Sequence, residues 1–184
     1  MKIENYLNEP WAYTGSIAMK LHANRLGVTF PPNRRIGNVN VVVENPAATG
    51  YALRGTGYWN FLNGGPPAPG SNHVSLVNLR NNKRVDLFRF GGNYAPISIK
   101  NIRFTKNNVP VVNLQTLLNR KKNVARNANI LKPNNRKKTV ENISFLKRLL
   151  NIHASPMASV SKKKKSPSPK SNKTPSPKKR TRAF

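Results

Sequence analysis

The chain has 184 residues, the length of one folded domain with extensions. It carries 33 Lys and Arg against five Asp and Glu, a formal net charge of +28, and this imbalance points to an acidic partner such as nucleic acid, an anionic membrane surface or an acidic protein. The lack of Cys excludes disulfides and Cys-based zinc sites, and we expect neither a secretory signal nor a membrane span because no apolar run is long enough.

Residues 1–27 are predicted to form an N-terminal arm with a short helix. Residues 16–26 suit a helix that begins at Ser16, a good N-cap residue, and stops before Gly27. The aromatic residues that precede this helix are expected to dock the arm onto the rest of the protein.

Residues 28–110 are predicted to form a β domain. Apolar and polar residues alternate there with a period of two, and Asn81-Asn82 suits a tight hairpin because Asn tolerates positive φ. The fold class expected from this pattern is mainly β, a small antiparallel sandwich or barrel followed by two basic amphipathic helices and a disordered tail. The predicted strands lie near 37–44, 51–62, 73–80, 84–90 and 97–105.

Residues 111–154 are predicted to be a basic helical extension. Leucines recur at helical spacing over 112–131 and again over 139–153, with a basic connector at 132–138. We expect the leucine stripes to pack on the β domain or on a neighbouring subunit. Binding to an anionic membrane is the alternative use of such helices.

Residues 155–184 form a Lys/Arg/Ser/Pro-rich tail that is predicted to be disordered, because it has little apolar surface to offset the entropy of ordering. An extended basic ribbon can follow a phosphate backbone, with an affinity that is independent of sequence and steeply dependent on salt. The tail also has Ser or Thr before Pro at five positions, where phosphorylation would lower its charge. The residues predicted to bind polyanions are Lys162, Lys163, Lys164, Lys165, Lys170, Lys173, Lys178, Lys179, Arg180 and Arg182 in the tail, with Arg136, Lys137 and Lys138 in the connector.

Catalytic and cofactor sites have little support in the sequence. The three histidines are isolated, and a His73/Asp86 pair across the predicted hairpin is more simply explained as surface polar pairing. The Gly55-x-Gly57 stretch lacks the third glycine and the lysine of a phosphate-binding loop. We therefore predict no enzyme activity, no metal, no cofactor and no small-molecule substrate.

An aromatic and basic stretch offers one further hypothesis. Its residues could stack on single-stranded bases, although aromatic residues in a strand more often belong to a core. The stretch comprises Tyr51, Arg54, Tyr58, Trp59 and Phe61.

The tail carries a resemblance. Residues 176–179 read Ser-Pro-Lys-Lys and resemble the repeat unit of linker-histone-like tails, and the Ser/Thr-Pro-Lys repeats over 165–182 are similar to Pro-Lys-rich repeats on proteins of large icosahedral double-stranded DNA viruses such as the algal chloroviruses. This resemblance implies a minor capsid protein of the virion that contacts capsid proteins and reaches nucleic acid or a membrane surface through its tail. The alternative is a chromatin-like protein that condenses DNA without sequence specificity, located in a host nucleus. Either function would draw its affinity from many weak contacts and not from a pocket.

Overall fold

The computed structural model describes residues 3–7, 10–32, 36–62, 65–92, 96–126 and 133–155. Its strands are β1 (Trp11–Thr14), β2 (Val39–Val43), β3 (Trp59–Phe61), β4 (His73–Asn78), β5 (Arg84–Arg89), β6 (Ile102–Phe104) and β7 (Pro110–Val112). Its helices are α1 (Gly15–Arg25), α2 (Pro46–Gly55), α3 (Leu114–Arg126) and α4 (Pro133–Ala154), with short 3₁₀ turns at Ile3–Tyr6 and Ile99–Asn101.

The strands form one mixed sheet in the order β3-β4-β5-β2-β1-β7-β6. The β2–β5 and β1–β7 pairs are parallel, and the other pairs are antiparallel. The predicted mainly β, antiparallel sandwich or barrel is therefore wrong: the protein is a mixed α/β structure with more helix than strand.

Local start signals explain part of this error. The side chain of Asn45 accepts a hydrogen bond from the backbone N–H of Ala48 at 3.1 Å, and Pro46 occupies the first helical position, where proline is favoured. These two residues begin α2, and the helix continues to Gly55, into the segment 51–62 that was predicted to be a strand. Only the three residues of β3 remain extended in that segment.

Helices cover both faces of the sheet. The register places Tyr13, Val41 and Val74 in one row, so Thr14 projects from the opposite face. On the first face α2 packs so closely that a Cβ added at Gly50 would lie 3.1 Å from Val74. On the second face α1, α3 and α4 pack together beside β1, β2 and β7.

The three segments expected from the sequence contribute to one sheet and one core. β1, from the N-terminal arm, lies between β2 and β7, and the leucine stripes of α3 and α4 are buried against α1 and each other. Those two helices and the short helix α1 are confirmed, as is the β4–β5 hairpin, where Asn82 has φ of 53°. The predicted connector at 132–138 is wrong over 133–138, because α4 begins at Pro133.

Candidate functional site

A polar pocket of about 300 Å³ lies where the N-terminus of α1 meets β2, α3 and α4. We call it the α1 pocket. Its walls are amide, hydroxyl and ammonium side chains together with glycine backbone, and the described lining contains no carboxylate. The lining residues are Gly15, Ser16, Gly37, Asn38, Asn40, Lys121, Asn135, Lys138, Thr139 and Asn142.

The turn from β1 into α1 forms one end of this pocket. Gly15 has φ of +64°, a left-handed conformation that glycine adopts without the cost that a side chain imposes. A Cβ at this residue would also lie 2.7 Å from Nδ2 of Asn40. The backbone angle therefore favours glycine here, and any larger residue would also displace the Asn40 amide.

The N-terminus of α1 is not capped by the residue before it. The Thr14 side chain makes no capping hydrogen bond, and its Oγ1 instead accepts a bond from Nη1 of Arg120 at 3.1 Å. The N–H groups of a first helical turn have no partner within the helix, and together with the helix dipole they favour an anion. Gly15 and Ser16, the first two residues of α1, line the pocket at this point.

Two lysines from different helices complete the positive character of the pocket. Lys121 comes from α3, and Lys138 comes from the N-terminal half of α4. The described lining contains no carboxylate, and the charges of the two lysines add to the partial positive charge of the α1 N-terminus. The pocket is therefore suited to an anion.

Asn142 places a hydrogen-bond acceptor in the pocket, whereas the lysines and the α1 N-terminus are donors. This residue is buried in the wall of the pocket, and its Oδ1 atom has no hydrogen-bond partner among the described residues. A buried acceptor without a partner costs free energy, about 1–3 kcal/mol. A ligand with a hydroxyl or N–H group near its anionic part would remove this cost.

A cluster around Asp86 supports the pocket from β5. Its carboxylate accepts hydrogen bonds from Nδ2 of Asn38 at 3.0 Å, Oγ of Ser75 at 2.6 Å and Nε of Arg84 at 2.8 Å. Burial by itself would raise the pKa of Asp86, but the hydrogen bonds from His73, Ser75 and Arg84 and the charge of Arg84 together hold it well below its usual range. Asp86 is thus a charged anchor that orients Asn38 in the pocket wall.

The contact between His73 and Asp86 is present, with Nε2 of the histidine 3.3 Å from Oδ1 of the carboxylate. The same Nε2 lies 3.1 Å from Oγ of Ser75, and the imidazole ring stacks on Phe88 at a centroid distance of 4.8 Å. A catalytic triad needs the two ring nitrogens to contact different partners, one the nucleophile and the other the acid. The predicted His73/Asp86 pair is therefore present, but it is not a surface contact because Asp86 is buried.

Arg120 joins α3 to the sheet next to this cluster. Its guanidinium lies 4.8 Å from the centroid of the Phe88 ring, a cation–π distance, and it also donates to Thr14. Burial lowers the pKa of Arg120, and the negative charge of Asp86 opposes that change. The result is a positive charge held against Thr14 and Phe88.

The described residues include no group of three or more His, Cys, Asp or Glu side chains that could hold a metal ion. Within the same residues, the ion pairs of His73 and Arg84 share the carboxylate of Asp86, which has four polar neighbours.

The structure places the predicted polyanion-binding residues in two groups. Lys138 lines the α1 pocket, and Arg136 and Lys137 are exposed on the same turn of α4. The tail residues of the prediction lie outside the described residues, as does the predicted disordered segment 155–184 except for Ser155, whose backbone N–H donates to the carbonyl oxygen of Asn151 at 2.9 Å.

The structure argues against base stacking on the aromatic stretch. Trp59 and Phe61 are each only 6% exposed, and Tyr58 lies under the guanidinium of Arg80, 4.2 Å from its centroid. Tyr51 is the most exposed ring of the set, and it packs edge-on against Phe61. These rings mainly stabilise the sheet and α2.

Sequence reasoning missed the α1 pocket. The available signal was Gly15 between an apolar strand and a helix, followed by Ser16. It was overlooked because residues 11–14 were assigned to an arm and not to a strand. The lysines that complete the site lie more than 100 residues further along the chain, so no local motif links them to Gly15.

No protein-family model matches the chain, and no curated sequence shows significant similarity to it. None of the helices in the described ranges is long and apolar enough to cross a membrane.

Proposed function

We propose that the folded part of this protein binds a phosphate group of a nucleotide or nucleic acid in the α1 pocket, and that the whole chain is a non-catalytic polyanion-binding protein. The observation that carries this proposal is the meeting of the α1 N-terminus with Lys121 and Lys138 in a pocket whose described lining has no carboxylate.

Phosphate suits this pocket for geometric reasons. A phosphate group has several acceptor oxygens, which can receive backbone N–H groups from a helix N-terminus and charged bonds from lysines at the same time. The pocket volume of about 300 Å³ is at the small end of the range of ligand sites, enough for a phosphate with part of the sugar or base attached to it. Asn142 could then accept a hydrogen bond from a sugar hydroxyl.

The proposal is tested by calorimetric titration of the full chain with inorganic phosphate, a mononucleotide and a short single-stranded oligonucleotide. The double variant Lys121→Ala/Lys138→Ala should weaken binding of the mononucleotide by roughly tenfold or more. Lys147→Ala/Arg148→Ala is the matched control, because it removes two charges from exposed residues of α4 that do not line the pocket. An equal loss in both double variants would show that net charge, not the pocket, binds the ligand.

A chain that ends at residue 155 separates the pocket from the tail. It lacks the ten Lys and Arg residues of 156–184, so its affinity for the oligonucleotide should fall and depend less steeply on salt. Its affinity for the mononucleotide should change little. Loss of mononucleotide binding on this deletion would contradict a binding site in the folded part.

We further propose, on the basis of the tail repeats, that the polyanion is encountered in a virion, where the chain is a minor capsid component. The mixed α/β fold removes the support that a β-sandwich domain would have given. Quantitative mass spectrometry of purified particles tests this proposal. Recovery of the protein only from host chromatin would favour the DNA-condensing alternative.

A further inference from the structure

A second surface lies at the edge of the sheet opposite β3, and it is mainly apolar. A groove of about 460 Å³ follows the last strand, β6, and we call it the β6 groove. Its floor and walls are mainly apolar, with Trp11, Ile99, Ile102 and Phe104 as the large side chains. Lys100 and Arg103 stand at its rim.

The apolar residues of the β6 groove are unusually exposed for their size. Phe104, on the edge strand β6, is 61% exposed, and Ile99, in the 3₁₀ turn before it, is 50% exposed. Trp11 is half-buried and packs edge-on against Tyr13 at 5.2 Å, so the tryptophan ring is held in place on one side of the groove. A rigid aromatic group in a concave apolar surface is typical of a protein interaction site.

We propose that the β6 groove binds a segment of a partner protein that carries apolar anchor side chains flanked by Asp or Glu. The charges of the groove select this occupant. The described lining holds two cationic side chains and no carboxylate, so acidic flanks would complement it.

The same charges disfavour two other occupants. The tail of this chain has ten Lys and Arg and no acid over 156–184, so Lys100 and Arg103 would repel it. A second copy that used the groove symmetrically would bring these two cations against their own equivalents. The complementary charge must therefore come from a different protein.

The backbone of β6 indicates how the segment is held. The guanidinium of Arg103 donates to the carbonyl oxygen of Ile102 at 2.8 Å and to that of Lys100 at 3.1 Å. The carbonyl oxygen of Asn101 accepts a bond from the backbone N–H of Asn113, just after β7, and Thr105 bonds with the loop before β7, so the Ile102 carbonyl faces the outer edge of the sheet. With that edge carbonyl occupied, side-chain insertion into the groove is favoured over addition of a strand.

Trp11 provides a direct readout of binding. In a Trp59→Phe chain Trp11 is the sole tryptophan, and its emission reports the polarity of the groove. The probes are three synthetic ten-residue peptides: one alternates Asp or Glu with Leu and Phe, one has Ser in place of the apolar residues, and one has Lys in place of the acids. We expect the first peptide to shift Trp11 emission to the blue and to bind at least roughly tenfold more tightly than the other two.

Substitutions locate the site. Phe104→Ala and Ile99→Ala should each weaken binding of the first peptide by roughly tenfold, and Arg103→Ala should weaken it less. Leu79→Ala is the matched control, because Leu79 is as exposed as Phe104 but follows β4, at the other side of the sheet. The Lys121→Ala/Lys138→Ala chain should bind the peptide normally, since this proposal is independent of the α1 pocket.

Several results would overturn the proposal. Equal binding of the first two peptides would show that the apolar side chains contribute nothing and that the groove binds by charge alone. Unchanged binding by Phe104→Ala would show that the peptide binds elsewhere. Displacement of the peptide by vesicles of anionic phospholipid at a lower molar concentration would identify a lipid surface as the better occupant. Sedimentation that shows dimers lost in Phe104→Ala would identify a second copy.

Discussion

Gly15 and Asn40 are in such close contact that a methyl group on residue 15 would lie 2.7 Å from Nδ2 of Asn40. This contact fixes the distance between the first turn of α1 and the side chain of β2 that faces it. It ties the backbone conformation of one residue to the shape of the α1 pocket, and it leads to the first prediction.

Gly15→Ala should impair both phosphate binding and stability. The alanine must adopt φ near +64° and displace the Asn40 amide, so we expect a loss of about 1–2 kcal/mol in the free energy of unfolding and at least a roughly fivefold weaker affinity for the mononucleotide. Gly27→Ala is the control, because Gly27 has φ of +66° with nothing within 4 Å of an added Cβ. It should cost similar stability, measured by urea denaturation, and leave affinity unchanged.

Asp86 should make the protein sensitive to strong acid. Its pKa is held below the usual value in the folded state, so its stabilising effect is complete above the unfolded-state pKa of about 4 and is lost as the pH falls through the lower folded-state value. Asp86→Ala should lower the free energy of unfolding at pH 7 by about 2–3 kcal/mol and flatten the acid dependence. Urea midpoints at pH 7 and pH 3 measure both effects.

The exposed Glu141 provides the comparison for this prediction. Glu141→Gln removes a carboxylate from the surface of α4 and should change the urea midpoint little at either pH. If Asp86→Ala behaved in the same way, the cluster would not stabilise the fold.

His22 should add a second, milder pH dependence. Burial, with the nearby charges of Arg25 and His153, lowers its pKa, although the bond from Nε2 to the carbonyl oxygen of Val112 at 2.8 Å opposes the shift. Below about pH 6.5 the unfolded chain binds a proton that the folded chain resists, so stability decreases as the pH falls toward the folded-state pKa. The slope for one such group cannot exceed about 1.4 kcal/mol per pH unit.

His22→Gln keeps an N–H donor for Val112 but cannot titrate, and thermal or urea denaturation between pH 5 and 7.5 should show a flatter profile. His153→Gln removes an exposed histidine and should leave most of the dependence in place. A profile that flattened only in His153→Gln would show that His153, and not His22, causes the pH dependence.

Trp59 should act through stability and not through base stacking. It is 6% exposed, so Trp59→Ala should cost about 3–5 kcal/mol in the free energy of unfolding. Its Nε1 atom has no hydrogen-bond partner among the described residues, and Trp59→Phe should therefore be much milder. Oligonucleotide affinity, measured by fluorescence anisotropy on a folded Trp59→Leu chain, which has no ring to stack at this position, should match the parent. A weaker affinity in that variant would revive the stacking hypothesis.

The helices were predictable where local signals were complete. The leucine stripes of α3 and α4 repeat at helical spacing, and Asn82 at positive φ closes a hairpin between two clearly alternating strands. The strands β1 and β3 were harder because they have only four and three residues, too few for a period to be recognised.

The sequence by itself determined the charge of this protein, the position of most of that charge in the final third of the chain, and the shortage of acids, His and Cys for catalysis. These properties depend on composition, which folding does not change. Only the tertiary structure decided that β2 pairs in parallel with β5, and that Gly15, Asn38, Lys121 and Lys138 share one pocket. Register and helix docking are set by packing between residues far apart in the chain, and local periodicity carries no information about which distant surfaces meet.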